Sequence, residues 1–182
     1  SANKVGGGPE LTHWLRMLSR DAFGNFRTLL QDVSYSPTMG KYLDNVFNRK
    51  ATATTSANEN YARELMQLFS IGLYRLNNDG SRMLDGQGNP IPTYSQATIA
   101  NMARALTGWT YAPFSGATHG NSNPENFTTN VVPTANPARH DTDPKTLLDG
   151  VVTPAGLTAP GDLAWVLDNI FNHPNVPPFI AT

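Results

Sequence analysis

Asn58-Glu59-Asn60-Tyr61-Ala62-Arg63-Glu64-Leu65-Met66-Gln67-Leu68-Phe69-Ser70-Ile71-Gly72 carries an amphipathic helix, both of its end signals and a dense polar face. At about 100 degrees per residue, Tyr61, Ala62, Leu65, Met66, Leu68 and Phe69 share one broad apolar arc, and Glu59, Asn60, Arg63, Glu64 and Gln67 fill the other side. Asn58 has the side-chain oxygen that caps orphan N–H groups, with Ser56 as a competing cap, and Glu59 places negative charge where the helix dipole favours it. Gly72 suits the left-handed position that ends a helix, with Leu73 folding back on Leu68. The pattern predicts a helix over 59–71.

The same grammar recurs at Thr98-Ile99-Ala100-Asn101-Met102-Ala103-Arg104-Ala105-Leu106-Thr107-Gly108-Trp109. Ile99, Met102, Ala103 and Leu106 form a stripe, Ser95 is the cap and Gly108 the stop, predicting a helix over 96–107. Trp109 is then expected to turn back over Ala103 and Arg104, within cation–π reach. Outward from these two helices, apolar periodicity predicts helices over 11–20 and 22–33, the second with Phe23, Phe26, Leu29, Leu30 and Val33 on one face. Ser36-Pro37 restarts the chain in a short helix to about residue 45. Leu163, Val166, Leu167, Ile170 and Phe171 mark a further helix, with Asp162 as its cap.

Between these helices the punctuation changes. Arg49 to Ala57 reads as a loop. Asp79-Gly80 and Gly88-Asn89-Pro90 are turn signals that place a small β-hairpin insertion at about 74–94. From Tyr111 to Lys145 no period survives, and a stretch of that length without regular structure is expected to be functional, mobile or laid across a partner surface. No internal repeat or low-complexity tract stands out. The expected fold is mainly α: an irregular multi-helix single domain over 1–182 with a small β-hairpin insertion and a long irregular loop about 111–145.

Composition bounds the function. The 182 residues are 39% hydrophobic, enough for a real core. Thirteen basic against fourteen acidic side chains leave no electrostatic footprint for nucleic acid. No apolar stretch reaches membrane length and no basic run marks a membrane surface. Zero cysteines remove disulfides, thiolate ligands and a cysteine nucleophile. No cofactor motif is indicated, and nothing in the spacing decides between an enzyme and a noncatalytic protein.

Two groups of residues have the chemistry for a site. Glu59 and Arg63 are four apart and pair along the helix. Glu64 borders the apolar arc, about 140 degrees from Glu59 on an ideal helix, so the two are poor joint metal ligands. These residues with Arg104 read as salt bridges tying two helices and a loop together; the competing reading makes Glu64 an acid or base held by Arg104 in a cleft. The second group is Arg139-His140-Asp141-Thr142-Asp143-Pro144-Lys145. His140, Asp141 and Asp143 are candidate metal ligands, and His140 and Asp141 join Glu64 and Arg104 as candidate catalytic residues, although the spacing matches neither an EF-hand nor a zincin. A hydrogen-bonded structural turn competes with both roles.

Other features read as architecture. Asn77-Asn78-Asp79-Gly80-Ser81 and Asp85-Gly86-Gln87-Gly88-Asn89 alternate oxygen-bearing residues as calcium loops do, but the glycine is misplaced and no closing Glu follows, so turn chemistry explains them. His13, His119 and His173 are isolated and take no role. Trp14, Trp109 and Trp165 are expected in core or interface, with Trp109 and Tyr111 as the alternative base of a sugar-binding surface. The Asn126-Phe127-Thr128 sequon carries little weight.

Ala22-Phe23-Gly24-Asn25-Phe26-Arg27-Thr28-Leu29-Leu30, Tyr42-Leu43-Asp44-Asn45, Asn58 to Gly72, Ala103 to Trp109, and Arg139-His140-Asp141 through Pro144-Lys145-Thr146-Leu147-Leu148, in this order, resemble the bacterial domain of unknown function 1800 (DUF1800) family. The resemblance covers about 18–150 and continues into 162–181. It implies a large exported protein, periplasmic or secreted, with a sulfatase-like partner encoded nearby, and no settled activity. The Trp-His-Asn-His-Phe type segment typical of members does not precede Leu11, and Pro178 to Thr182 stop inside an expected helix. The chain therefore reads as a middle fragment, with Ser1-Ala2 as a cloning remnant. Three functions stay open: a noncatalytic helical scaffold or partner-binding module, a metal-assisted hydrolase acting on a polysaccharide or its sulfate esters through His140, Asp141 and Glu64, and a carbohydrate-binding module.

Overall fold

The computed structural model describes residues 4–181; Ser1, Ala2, Asn3 and Thr182 lie outside them. Seven α-helices are found among the described residues: α1 (Gly8–Asp21), α2 (Phe26–Tyr35), α3 (Pro37–Tyr42), α4 (Asn60–Gln67), α5 (Gln96–Ala105), α6 (Ala159–Phe171) and α7 (Val176–Ala181). The fold is mainly α, and β1 (Trp109–Thr110) pairs antiparallel with β2 (Val132–Pro133).

Local capping chemistry sets most helix ends. α1 begins earlier than its apolar stripe because Glu10 reaches back to accept the Gly6 and Gly7 N–H groups at 2.8 Å each. α2 begins at Phe26, not at residue 22, because Asn25 Oδ1 accepts from Arg27 N and Thr28 N. Phe23 therefore falls in the connecting turn and is fully exposed, off the apolar face on which the periodicity placed it. Ser36 and Ser95 cap α3 and α5. The cap of α6 is Thr158, whose Oγ1 accepts from Gly161 N; Asp162 sits one turn inside and points to the interior instead.

α4 is shorter than its pattern. Asn58 Oδ1 accepts from Asn60 N, while Asn48 clamps the Asn58 backbone through both its N–H and its C=O. After Gln67 the turns widen: Ile71 N and Gly72 N both donate to Met66 O. Gly72 takes φ +68, and a Cβ there would meet the Phe179 ring of α7 at 2.6 Å. Gly108, at φ +91, likewise lets His140 approach, its Cβ lying 2.8 Å from where a side chain would begin. Leu68 and Leu73 remain half-exposed rather than closing the expected staple. Trp109 enters β1 instead of folding back, and its buried ring meets Tyr35 edge to face at 5.4 Å; the cation–π partners found among the described residues are Lys41 with Phe127 and Arg82 with Tyr74.

The helices bury one continuous core. Tyr61, Leu65 and Met66 of α4 meet Ile99 and Met102 of α5, and Leu163, Val166, Leu167 and Ile170 of α6 close against α5 and α2. Each of these large side chains contributes about 1.5–3 kcal/mol by leaving water. Tyr61 is buried to its hydroxyl, which donates to Ser34 Oγ at 2.7 Å, so its polar tip is satisfied.

The insertion at 74–94 holds a repeat that the residue pattern concealed. Segments around Arg75, Met83 and Ile91 are eight residues apart, and their amides close a ring: Arg75 N to Ile91 O, Ile91 N to Met83 O, Met83 N to Arg75 O. The intervening turns are equivalent, with Gly80 N on Asn77 O and Gly88 N on Asp85 O, both glycines at positive φ. Asp79 and Asp85 spend their carboxylates on the N–H groups of their own turns, which fixes the turn-chemistry reading of both segments.

The long stretch from Tyr111 to Lys145 is laid over the body by asparagines that replace a ladder. Asn123 donates to Tyr111 O and accepts from Gly120 N, and Asn126 donates to Ala112 O. Asn126 is buried, so the sequon is not displayed. Trp109 and Tyr111 are buried too, which removes the aromatic sugar surface expected there.

Candidate functional site

Thr107, at the end of α5, organises the polar centre of the molecule. Its hydroxyl donates to Arg104 O at 2.7 Å and accepts from Asp141 N at 3.0 Å, while its carbonyl accepts from His140 Nδ1 at 2.9 Å. One threonine thus fixes both chemistry-bearing residues of the 139–145 segment against α5. Arg104 then reaches Asp141 with a two-pronged fork, Nε to Oδ2 at 2.9 Å and Nη2 to Oδ1 at 3.2 Å. Burial pushes the Asp141 carboxyl upward, but the Arg104 fork and the Asp143 N–H outweigh it and hold the group below its ordinary value. The same fork raises Arg104.

On the inner side lies a buried cluster. The Lys145 ammonium, 0% exposed, donates to Asp162 Oδ2 and to the Asp141 carbonyl. Asp162 Oδ2 also faces His140 Nε2 at 2.8 Å. Both ring nitrogens of His140 therefore face oxygens. Asp162 Oδ1 has no hydrogen-bond partner among the described residues. The cluster ties the 139–146 segment to the first turn of α6.

The remaining candidates lie elsewhere. Glu64 Oε2 is buried without a hydrogen bond; the Tyr94 hydroxyl is raised by burial, with the Arg63 charge opposing and Glu64 adding a smaller push. Glu64 makes no hydrogen bond or ion pair with Arg104, His140 or Asp141. Glu59 accepts from Arg63 and from Gln96. Asp143 is exposed and paired with Lys50 at 3.2 Å. Arg104, His140 and Asp141 are thus brought together and Glu64 is not. Among the described residues, no group of three or more His, Asp or Glu is placed to hold a metal ion.

A pocket of about 440 Å³ adjoins His140, walled by Pro133, Pro137, Leu157 and Pro160 with Thr142 and Thr158. His140 presents no uncommitted nitrogen to it, because both are bonded inward. Sequence reasoning passed over Lys145, Thr107 and Asp162. The available signal was a charged residue beside an apolar helix start at Asp162 and a lysine inside an otherwise uncharged run, Pro144 to Leu148; neither names its partner.

The chain belongs to the DUF1800 family: residues 4–182 match its profile, described as a protein of unknown function, so the family extends beyond both ends of the motifs that first suggested it. Neither curated proteins nor solved structures gave a match.

Proposed function

We propose that this domain is a noncatalytic helical scaffold that presents binding surfaces, with its densest cluster of charged residues serving as an internal lock. The observation that carries this reading is that each cation of that cluster is spent on a carboxylate or carbonyl within it. Arg104 is spent on Asp141, and Lys145 on Asp162 and the Asp141 carbonyl, while His140 is bonded at both nitrogens. A hydrolase needs a base, a nucleophile-activating group and an open position within a few ångströms of one another. Here Glu64 stands apart from His140, and the acidic groups nearest His140 hold cations. Exposed Leu11, Leu15, Leu68 and Phe114 offer apolar surface for a protein partner. The family resemblance supports an exported bacterial protein, periplasmic or secreted, and a sulfatase-like protein as that partner. No helix among the described residues is long and apolar enough to cross a membrane.

The test pairs activity with stability. Wild type and His140→Gln are assayed on chromogenic sulfate esters, carboxylate esters and glycosides, with Zn²⁺ or Mn²⁺ added in parallel melts. The expected result is a melting temperature unmoved by either metal, and no turnover that depends on His140. Metal-dependent hydrolysis abolished in a folded His140→Gln variant would overturn the proposal and favour the metal-assisted hydrolase.

A further inference from the structure

α6 turns a second, outward face to the surface. Trp165, Asp168, Asn169 and Asn172 follow the spacing that lines up one side of a helix, away from the Leu163, Val166, Leu167 and Ile170 side that is buried in the core. With Asp149, Val151, His173 and Pro174 they wall a pocket of about 540 Å³, a size that suits one or two sugar rings. Trp165 is 39% exposed, so part of its indole is available as an apolar wall.

His173 gives this pocket a specific polar feature. The residue is only 4% exposed and its Nε2 has no hydrogen-bond partner among the described residues. Its Nδ1 accepts from Asn175 N at 3.1 Å, which leaves the proton of the neutral ring on Nε2. Burial holds the imidazole below its ordinary value, with Asp149 opposing and Arg75 assisting, so the neutral form is favoured. Asp149 Oδ2 lies 3.4 Å from Nε2, inside ion-pair distance; with a neutral ring and no hydrogen bond, that contact is a near approach and not a salt bridge. The result is a buried N–H donor lining the pocket with its bond unmade, a costly arrangement that a ligand oxygen or water relieves.

The surrounding groups form a mixed set. Asn172 commits its amide N–H to Asp168 O and keeps Oδ1 free to accept. Asp168 gives Oδ1 to Arg27 at 2.7 Å, and Asp149 gives Oδ1 to Arg75 at 2.5 Å, each leaving Oδ2 uncommitted to a hydrogen bond. Asn169 clamps the Leu148 backbone, accepting from its N–H and donating to its C=O, which fixes the turn that carries Asp149. An aromatic face ringed by one donor and three acceptors matches a ring with apolar C–H faces and hydroxyls that both donate and accept. The two carboxylates already carry arginine partners and line the wall themselves, so an anionic sugar is repelled and a cationic one gains little.

We propose that this pocket binds a neutral pyranose unit of a glycan, stacked on Trp165 and hydrogen-bonded by His173 Nε2, Asn172 Oδ1 and the free oxygens of Asp168 and Asp149. The proposal goes beyond the scaffold reading and shares no residue with the buried lock, so either can fail alone. Native affinity electrophoresis in gels containing laminarin, xyloglucan, galactomannan or dextran sulfate tests it, with hexasaccharides of glucose, xylose and mannose titrated by calorimetry. Wild type is expected to be retarded by at least one neutral polymer and not by dextran sulfate. Trp165→Ala, a surface change whose fold is checked by circular dichroism, should weaken binding about tenfold or more, Trp165→Phe should retain most of it, and Asn172→Ala should weaken it severalfold. Wild type passing all neutral polymers unretarded, Trp165→Ala binding as wild type does, or retardation by dextran sulfate alone would each overturn the assignment.

Discussion

Lys145→Met tests the central lock most directly. Methionine keeps the unbranched length of the lysine stem and removes the ammonium, leaving the Asp162 carboxylate, itself without solvent exposure, facing only His140, and the Asp141 carbonyl without its donor. Removing one member of a buried pair costs about 3–5 kcal/mol, because the other charge stays desolvated. At roughly 2–4 °C per kcal/mol for a chain of this size, the melting temperature should fall by about 6–20 °C. Arg63→Ala is the control: its i,i+4 partner Glu59 lies at the surface, and the pair is worth about 0.2–0.5 kcal/mol. Urea unfolding followed by circular dichroism, with unchanged denaturant slope, reads the difference. The double change Lys145→Met with Asp162→Leu removes both charges and should recover a large part of the loss, since an apolar pair of similar volume replaces a desolvated one. A loss below about 1 kcal/mol for Lys145→Met, or a double variant no better than the single, refutes the claim that this lysine neutralises a buried carboxylate.

Other outcomes follow from equally local features. The Glu10 carboxyl is held down to about 2 by Lys41 and the Gly6 and Gly7 N–H groups; its stabilising contribution is complete above the unfolded value near 4.5 and is lost as pH falls toward 2, so Glu10→Gln should flatten acid unfolding in that window while lowering stability at neutral pH. Gly72→Ala combines a backbone at φ +68 with a methyl 2.6 Å from the Phe179 ring, and should destabilise by roughly 2–3 kcal/mol, with Phe179→Ala in the same chain relieving the collision but not the backbone strain, as read by thermal melts.

Cap and stop signals were the most legible part of the fold. Ser36 and Ser95 cap where the sequence places them; Gly72 and Gly108 take positive φ as expected, but α4 ends at Gln67 and α5 at Ala105, short of these glycines. Two of the departures share a cause: an apolar stripe does not know where a competing cap sits. Asn25 cut α2 back and turned Phe23 outward, and Thr158 took the capping role from Asp162, freeing that carboxylate to face inward. The threefold ring at 74–94 escaped notice because its repeat lies in backbone pairing and turn geometry more than in side-chain identity.

Of the site candidates, the local segment His140-Asp141 was visible as chemistry, but its partners were not. Arg104 with Asp141, Thr107 with His140, and Lys145 with Asp162 are separated by 37, 33 and 17 residues. His173, without a role in isolation, gains one from its buried N–H and from Asp149, Trp165 and Asn172 around it.

The sequence by itself determined the mainly helical architecture, the faces of the principal helices and several of their ends, because helical period and capping are properties of a few neighbouring residues. Which charges are buried, which are neutralised and which polar groups are left to face a pocket was decided only by the tertiary structure. Desolvation depends on every element packed around a group, and those elements are brought together by burial of the core rather than by their order along the chain.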